Sequence, residues 1–298
     1  MKIGVNILGL EPTVGGDIDG ILDVAVAADR SGIDVLTLGD HLGFHRPTHQ
    51  TRREAHAFPF TLEEPWPEPV TLLSAVAALT QQIRLSTFVL IAPLRPALLL
   101  AKQLATLDRI SNGRVMMGFG VGWQEEEFAA AGMPFEGRFA DLEDYVGAMR
   151  SLWGTPPASY KARHFEFDDF YSLPLPVQGS QLPILFGLAP LPKNLDRIAR
   201  LSQGWALNPA DRRIFAEKAA EIKRLAREYG RDPDALEFDV GQAAVRDADG
   251  NLDKGAIRDN VKRAEDDGAT ISSFLLRDGC RTKDEIGPFL EFAATLKD

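Results

Sequence analysis

The sequence predicts a closed (β/α)8 TIM barrel of the α/β class, and three observations lead there. Short apolar or β-branched runs alternate with longer segments whose apolar residues recur at helical spacing, and they do so eight times. The 298 residues match the length such a barrel usually has. No stretch reads as a linker, so one domain over 1–298 is expected rather than an open doubly wound sheet or two units.

Lys2–Leu8 reads as the first strand, followed by the helical run "DIDGILDVAVAADRSG" (17–32), which Gly32 ends. Val35–Leu38 is the second strand, and a long connection leads from it to a helix over Val70–Thr80. Ile83–Phe88 and the helix Ala97–Ile110 make the third unit. Val115–Phe119 is the fourth strand, trailed by two helical pieces, Gln124–Ala131 and Phe139–Leu152. The later units pair Pro183–Phe186 with Leu195–Leu201, Gly204–Leu207 with Arg212–Tyr229, Phe238–Val245 with Ile257–Asp267, and Ser272–Leu276 with Lys283–Leu296. Two inserts break the rhythm, 41–69 and 154–182. Loops this long in a compact domain are usually functional or disordered. The first leaves a strand at its carboxyl end, the catalytic face of a barrel, which marks it as a lid.

Composition narrows the classes. A net charge of -10 with no basic stripe argues against nucleic-acid and anionic-membrane partners. One cysteine, Cys280, excludes an intrachain disulfide and a cysteine-cluster metal site. The longest apolar runs, such as Phe88–Leu94, are too short to span a bilayer, and residues 1–8 read as a strand rather than a signal-peptide core. The expectation is a soluble, cytoplasmic protein acting on a small-molecule substrate.

The stretch "SNGRVMMGFGVGWQEEEF" (111–128) places Gly118, Gly120 and Gly122 after an apolar run. It is not a dinucleotide fingerprint: the third glycine falls one place early, Trp123 follows it, and three strands precede it. Two readings stay open. The glycines relieve crowding inside the barrel, or they let a flat ring approach the backbone, with Trp123 and Gln124, or Glu126 one turn on, at its edge.

Four of the five histidines, His41, His45, His49 and His56, lie in the first insert. The first three are spaced by four, as a helical metal site would require, but Gly43 and Pro47 are expected to break that helix, and no metal is predicted. Arg46, Arg52, Arg53, Phe58, Phe60 and Trp66 read instead as a lid over a substrate. Cys280 follows the eighth strand, where a buried, inert thiol is the commoner outcome.

Residues 83–153 combine P-x-R-P, A-K-x-x-A-T-L-D-x-x-S-x-G-R, G-x-G-x-G-W-x-x-E-E, Arg138 and a closing Leu-Trp in fixed order. With "GDHLGF" (39–44) and "RIARLSQGWALN" (197–208), this run resembles the luciferase-like monooxygenase superfamily, and within it the branch that uses coenzyme F-420, a deazaflavin. The resemblance covers residues 1 to about 210 and implies a ring held at the carboxyl face of a barrel. It puts Asp40 and His41 near the reactive edge, with His41 as the proton-exchanging group. It implies a non-proline cis peptide around Ser86, Thr87 and Phe88, against the ring face. Gly120, Gly122, Trp123 and Glu126 would line the ring. Arg138 would reach a phosphate or pair with Asp141 or Glu143. Arg95, Lys102, Asp108 and Arg114 are expected as structural ties. The coenzyme tail would sit at Gly187, Leu188 and Ala189, although "FGLAPLPKNLDR" (186–197) has Leu188 where relatives carry a second glycine, and prolines that remove donors.

The function expected is an oxidoreductase moving a hydride between coenzyme F-420 and an organic substrate. The rivals are an FMN-dependent two-component monooxygenase fed by a flavin reductase, and a flavin-binding barrel without turnover. The resemblance also implies a homodimer.

Overall fold

The computed structural model describes residues 1–55 and 58–297. Its strands are β1 (Lys2–Asn6), β2 (Val35–Leu38), β3 (Arg84–Thr87), β4 (Leu90–Ile91), β5 (Met117–Gly120), β6 (Ala158–Lys161), β7 (Glu166–Phe170), β8 (Ile184–Phe186), β9 (Gly204–Leu207), β10 (Glu237–Gln242) and β11 (Ile271–Leu275). The helices are α1 (Ile18–Arg30), α2 (Arg46–Glu54), α3 (Pro69–Leu79), α4 (Ala97–Ile110), α5 (Glu125–Ala131), α6 (Arg138–Leu152), α7 (Pro192–Leu201), α8 (Phe215–Glu228), α9 (Lys254–Asp266), α10 (Leu276–Gly279) and α11 (Lys283–Ala294).

All strands but the β6–β7 hairpin form one parallel sheet in the order β3-β2-β1-β11-β10-β9-β8-β5-β4. Its two ends meet. Leu85 of β3 bridges Val115, with Leu85 N–H donating to Arg114 O at 3.0 Å and Met116 N–H to Leu85 O at 2.9 Å. β3 and β4 are therefore two halves of one barrel strand, the lower paired with β2 and the upper with β5. The break between them is a cis peptide, Phe88–Val89, one residue past the stretch that the sequence marked. Counted this way the barrel has the eight strands expected, and the helices alternate with them outside.

Some boundaries differ from the sequence reading. The strand expected over Phe238–Val245 ends at Gln242, after which the chain leaves the sheet for a small bridge between Arg246 and Leu252. The insert 154–182 is not an open loop, because β6 and β7 pair antiparallel within it. Its tail is held by Lys102 and Arg109, which donate to the Leu173 and Leu175 carbonyls, and by Asp108, which accepts from Gln178. In the first insert Pro47 starts a helix rather than breaking one. It occupies the first turn of α2, where its missing N–H costs nothing, and His45 is the N-cap.

Alternation along the strands sorts the barrel interior. Phe238 and Val240 join the helix layer, whereas Val35, Met116, Leu185, Ala206 and Ile271, each from or beside a different strand, pack together inside. At the lower end Glu237 accepts from Lys2 at 2.8 Å and from Arg84 at 2.9 and 3.0 Å. Two residues along β10, Asp239 is buried with Oδ1 unpartnered, and burial pushes its carboxyl up to about 7. The folded chain thus keeps a proton that the unfolded chain releases near the ordinary carboxylate value of about 3.9. Stability from this site is complete below that value and is lost as pH rises towards 7. Asp239→Asn is expected to flatten this slope: its urea midpoint should exceed that of the unmodified chain at pH 8, and the gap should close towards pH 4. A gap constant with pH would show that Asp239 is not proton-linked.

Candidate active site

The site is built from the carboxyl end of β2. Gly39 follows the strand where a Cβ would lie 2.9 Å from Trp66 and 3.0 Å from Leu8, so only glycine lets the lid residue pack down. Asp40 comes next, buried, and both of its oxygens are committed. Arg95 donates to Oδ2 at 2.6 Å and to Oδ1 at 2.8 Å, and Ile91 N–H donates to Oδ2 at 2.9 Å. Arg95 also donates to Glu68 at 3.0 Å, and Tyr145 donates to the Arg95 carbonyl at 2.7 Å. Burial alone would lower the Arg95 pKa, but the hydrogen bonds and charge of Asp40 and Glu68 raise it. The carboxylate of Asp40 is thus spent on the scaffold.

His41 is buried and its Nδ1 lies 2.9 Å from Glu127 Oε2. The other oxygen of Glu127 accepts from Leu42 N–H at 2.5 Å and Gly43 N–H at 3.4 Å. Gln124 completes the clasp, accepting from His45 N–H and donating to Gly43 O, both at 2.8 Å. With Glu127 accepting, Nδ1 carries the hydrogen and Nε2 the lone pair; Nε2 has no hydrogen bond among the described residues. The sequence reading nominated Glu126. That residue is exposed, paired with Thr48 at 2.7 Å and His45 at 3.1 Å on the outside of the lid. Glu127 is the side chain on His41 that it missed, and Gln124, expected at a ring edge, is tied to Gly43 and His45 instead.

Rings close over His41. Phe44, Trp66 and Trp123 lie at centroid distances of 4.7, 5.1 and 5.3 Å, and Arg52 stacks on Trp123 at 4.3 Å. His49 is in α2, buried between Phe44 and Phe58, and His56 lies outside the described residues. Among the described residues no group of three or more His, Cys, Asp or Glu could hold a metal ion.

The glycines answer to Val89 rather than to a ring. A Cβ on Gly120 would lie 2.6 Å from Val89, one on Gly187 2.5 Å from it, and one on Gly118 would collide with the Thr87 carbonyl. Gly122, at φ +67°, is closed in by Ile91 and Phe128, each 2.8 Å from its Cβ position. Relief of crowding, the first reading of this stretch, accounts for these contacts. Gly118, Gly120 and Gly187 make room for the residue after the cis peptide, and Val89 itself remains only partly buried. Thr87 is likewise spent, donating to Gly118 O at 2.7 Å, whereas the buried Ser86 makes no side-chain hydrogen bond among the described residues.

At the turn after β8, Gly187 N–H is used by Phe119 O at 2.8 Å, Leu188 O accepts from Trp205, and Ala189 O accepts from Asn194. The N–H groups of Leu188 and Ala189 have no acceptor among the described residues. Arg138 pairs with neither Asp141 nor Glu143, one of the two roles expected of it. It stacks on Phe135 at 3.8 Å and donates to Gly122 O at 3.3 Å, while Asp141 faces Arg163 and His164, and Glu143 faces Arg197 and Arg200. Cys280 is buried away from these groups against Glu285 O, and burial pushes its thiol up to about 12.

The chain belongs to the luciferase-like monooxygenase family, which it matches over residues 1–249. An uncharacterized protein of Mycobacterium tuberculosis is 39% identical over 144 residues, 48% of this chain and 51% of that protein, so the chain spans about half the length of the curated relatives of this group. Among solved structures, an F420-dependent secondary alcohol dehydrogenase superposes with a TM-score of 0.78 at 18% identity, covering 100% of this chain and 99% of that one. Monooxygenase RslO1 from Streptomyces bottropensis superposes at 0.77 with 23% identity, over 99% and 98%. These two likenesses show the fold. No helix among the described residues is long and apolar enough to cross a membrane.

Two substitutions test the scaffold. Asp40→Asn should cost about 3–5 kcal/mol in urea unfolding at pH 7, the usual loss when a buried ion pair is broken from one side. A cost below about 1 kcal/mol would remove the pair as the anchor of this end of the barrel. Gly120→Ala should cost about 1–3 kcal/mol by overpacking, and adding Val89→Ala should recover most of it. Independent, additive effects would show that Val89 is not what the glycine accommodates.

Proposed function

We propose that this chain is an oxidoreductase that passes a hydride between coenzyme F-420 and a small organic substrate at the carboxyl-end mouth of the barrel. The observation that carries the reading is His41: a buried imidazole with one nitrogen held by Glu127 and the other left without a partner among the described residues.

The residues present suit such a coenzyme. The partly buried Val89 offers an apolar face at the mouth, and Ser86 keeps a hydroxyl unspent. Leu188 and Ala189 offer two successive N–H groups without an acceptor among the described residues, which suit an anion, and Lys193 adds charge in the first turn of α7. Arg138 has no carboxylate in ion-pair range among the described residues. When bound, a deazaflavin supplies a two-electron hydride donor or acceptor that reacts poorly with oxygen.

The chain's own part is orientation and a proton. Nδ1 of His41, tied to Glu127, keeps the ring from turning and stabilises the charge that appears when Nε2 takes up a proton. In the reducing direction Nε2 gives that proton to the substrate oxygen as the carbonyl carbon gains the hydride; in the oxidising direction it removes the hydroxyl proton. The rings around His41 keep water from this exchange. The same mouth would serve FMN in a monooxygenase fed by a reductase; the Asp40-His41 pair favours the deazaflavin.

The test is a calorimetric and fluorescence titration with F-420 and FMN, each oxidised and reduced. Binding of F-420 in preference to FMN is expected, and preference for reduced FMN would overturn the reading. With a carbonyl acceptor found by following oxidation of the reduced coenzyme, His41→Ala should lower kcat by about 10²–10⁴-fold with little change in coenzyme Kd. Undiminished kcat would remove His41 from the chemistry.

A further inference from the structure

Phe58 stands at the centre of the lid. Its ring stacks on Trp66 at 5.9 Å and 20° and meets His41 and His49 edge-on at 5.7 and 5.6 Å, with interplanar angles of 86° and 83°. Phe44, Phe60 and Trp123 complete the enclosure at 5.5, 5.3 and 5.5 Å. One phenyl ring of the chain is thus boxed by six others, directly against the imidazole assigned to the chemistry.

An apolar lid core would explain the rings but not their nitrogens. His49 is 1% exposed, and neither Nδ1 nor Nε2 has a hydrogen-bond partner among the described residues. Trp66 Nε1 is buried and unpartnered among them as well. A buried donor or acceptor left unmade loses its hydration without replacement, and native interiors rarely carry several side by side. Here three such nitrogens belong to two of the rings that surround Phe58.

We infer that this box is the substrate pocket, that Phe58 occupies it as an internal plug, and that the ligand replacing it is a planar ring bearing carbonyl groups, such as a cyclic imide, a pyrimidinedione or a quinone. Flatness follows from the Trp66 face on which Phe58 lies. Size follows from the single phenyl ring now held. The carbonyls follow from Trp66 Nε1, which can only donate, and from His49, which carries at least one N–H. A ring N–H on the ligand would serve an imidazole lone pair. The inference rests on the preceding reading only in setting the substrate beside His41; its test reads binding, so the coenzyme assignment can fail without it.

The probe is phthalimide, with indane as the same fused-ring outline lacking carbonyls. Each is titrated into the full-length chain with and without saturating F-420, by calorimetry and by quenching of tryptophan emission. Phthalimide is expected to bind at least about tenfold tighter than indane, a difference of about 1.4 kcal/mol. Phe58→Ala should tighten phthalimide about fivefold or more, because the box no longer has to be vacated. His49→Phe should erase the preference for phthalimide while leaving indane binding in place. If Phe58→Ala fails to unfold cooperatively, Phe58→Leu replaces it, with tightening again expected. Absence of phthalimide binding in both conditions, weaker binding after either Phe58 substitution, or an undiminished preference in His49→Phe would each overturn the inference.

Discussion

The forked pair between Asp40 and Arg95 is the constraint on which this end of the barrel depends. It joins the second residue after β2 to the residue two places before α4, and Asp40 also takes the Ile91 N–H at the end of β4. Three pieces of chain converge on one carboxylate. Desolvating two charges is costly, and such pairs add little net stability over apolar packing. What this pair does is exclude other arrangements: a lysine could not make the fork, and a strand end shifted by one residue would leave both charges buried and unmatched. His41 therefore leaves β2 from a fixed point, and Glu127 has only to settle the orientation of its ring.

Val89 sets the opposite wall by a different means. The chain turns at Phe88–Val89 and drives an isopropyl group onto the backbones of β5 and β8, where glycines at 118, 120 and 187 leave room for it. Close packing makes this an all-or-nothing fit, since an added methyl has nowhere to go. The glycine array after the fourth strand thus shapes the mouth through its fit to Val89. Its conspicuous pattern reports a contact between neighbouring strands.

How much of this the sequence carried depends on the distance over which each signal acts. The eight units were legible because period-two and period-3.6 patterning are local properties of each segment. His41 was legible because it ends a strand at the catalytic face. Glu127 was legible in principle. One turn on from Trp123 reaches both Glu126 and Glu127, and burial of 124, 127 and 128 with 125 and 126 exposed turns Glu127 inward. Asp40 was different: its partner lies 55 residues away, and nothing near it in the chain shows that its carboxylate is spent. The role of the glycines was hidden for the same reason, because the side chain that fills their space belongs to another strand.

The two walls and the lid differ in how completely their polar groups are satisfied, and that difference divides the labour. The side-chain oxygens of Asp40, Glu127 and Gln124 all have partners, and that polar framework has one arrangement available to it. In the lid, His49 and Trp66 bury nitrogens with none among the described residues, while aromatic contacts, which tolerate many geometries, do the holding. A rigid base beneath an adaptable cover suits a protein that must hold one coenzyme in a fixed pose and exchange a second molecule at every turnover. Changes in the substrate accepted would then arise in residues 42–68, whereas changes at Asp40, Arg95 or Val89 would disturb the barrel before they altered what it binds.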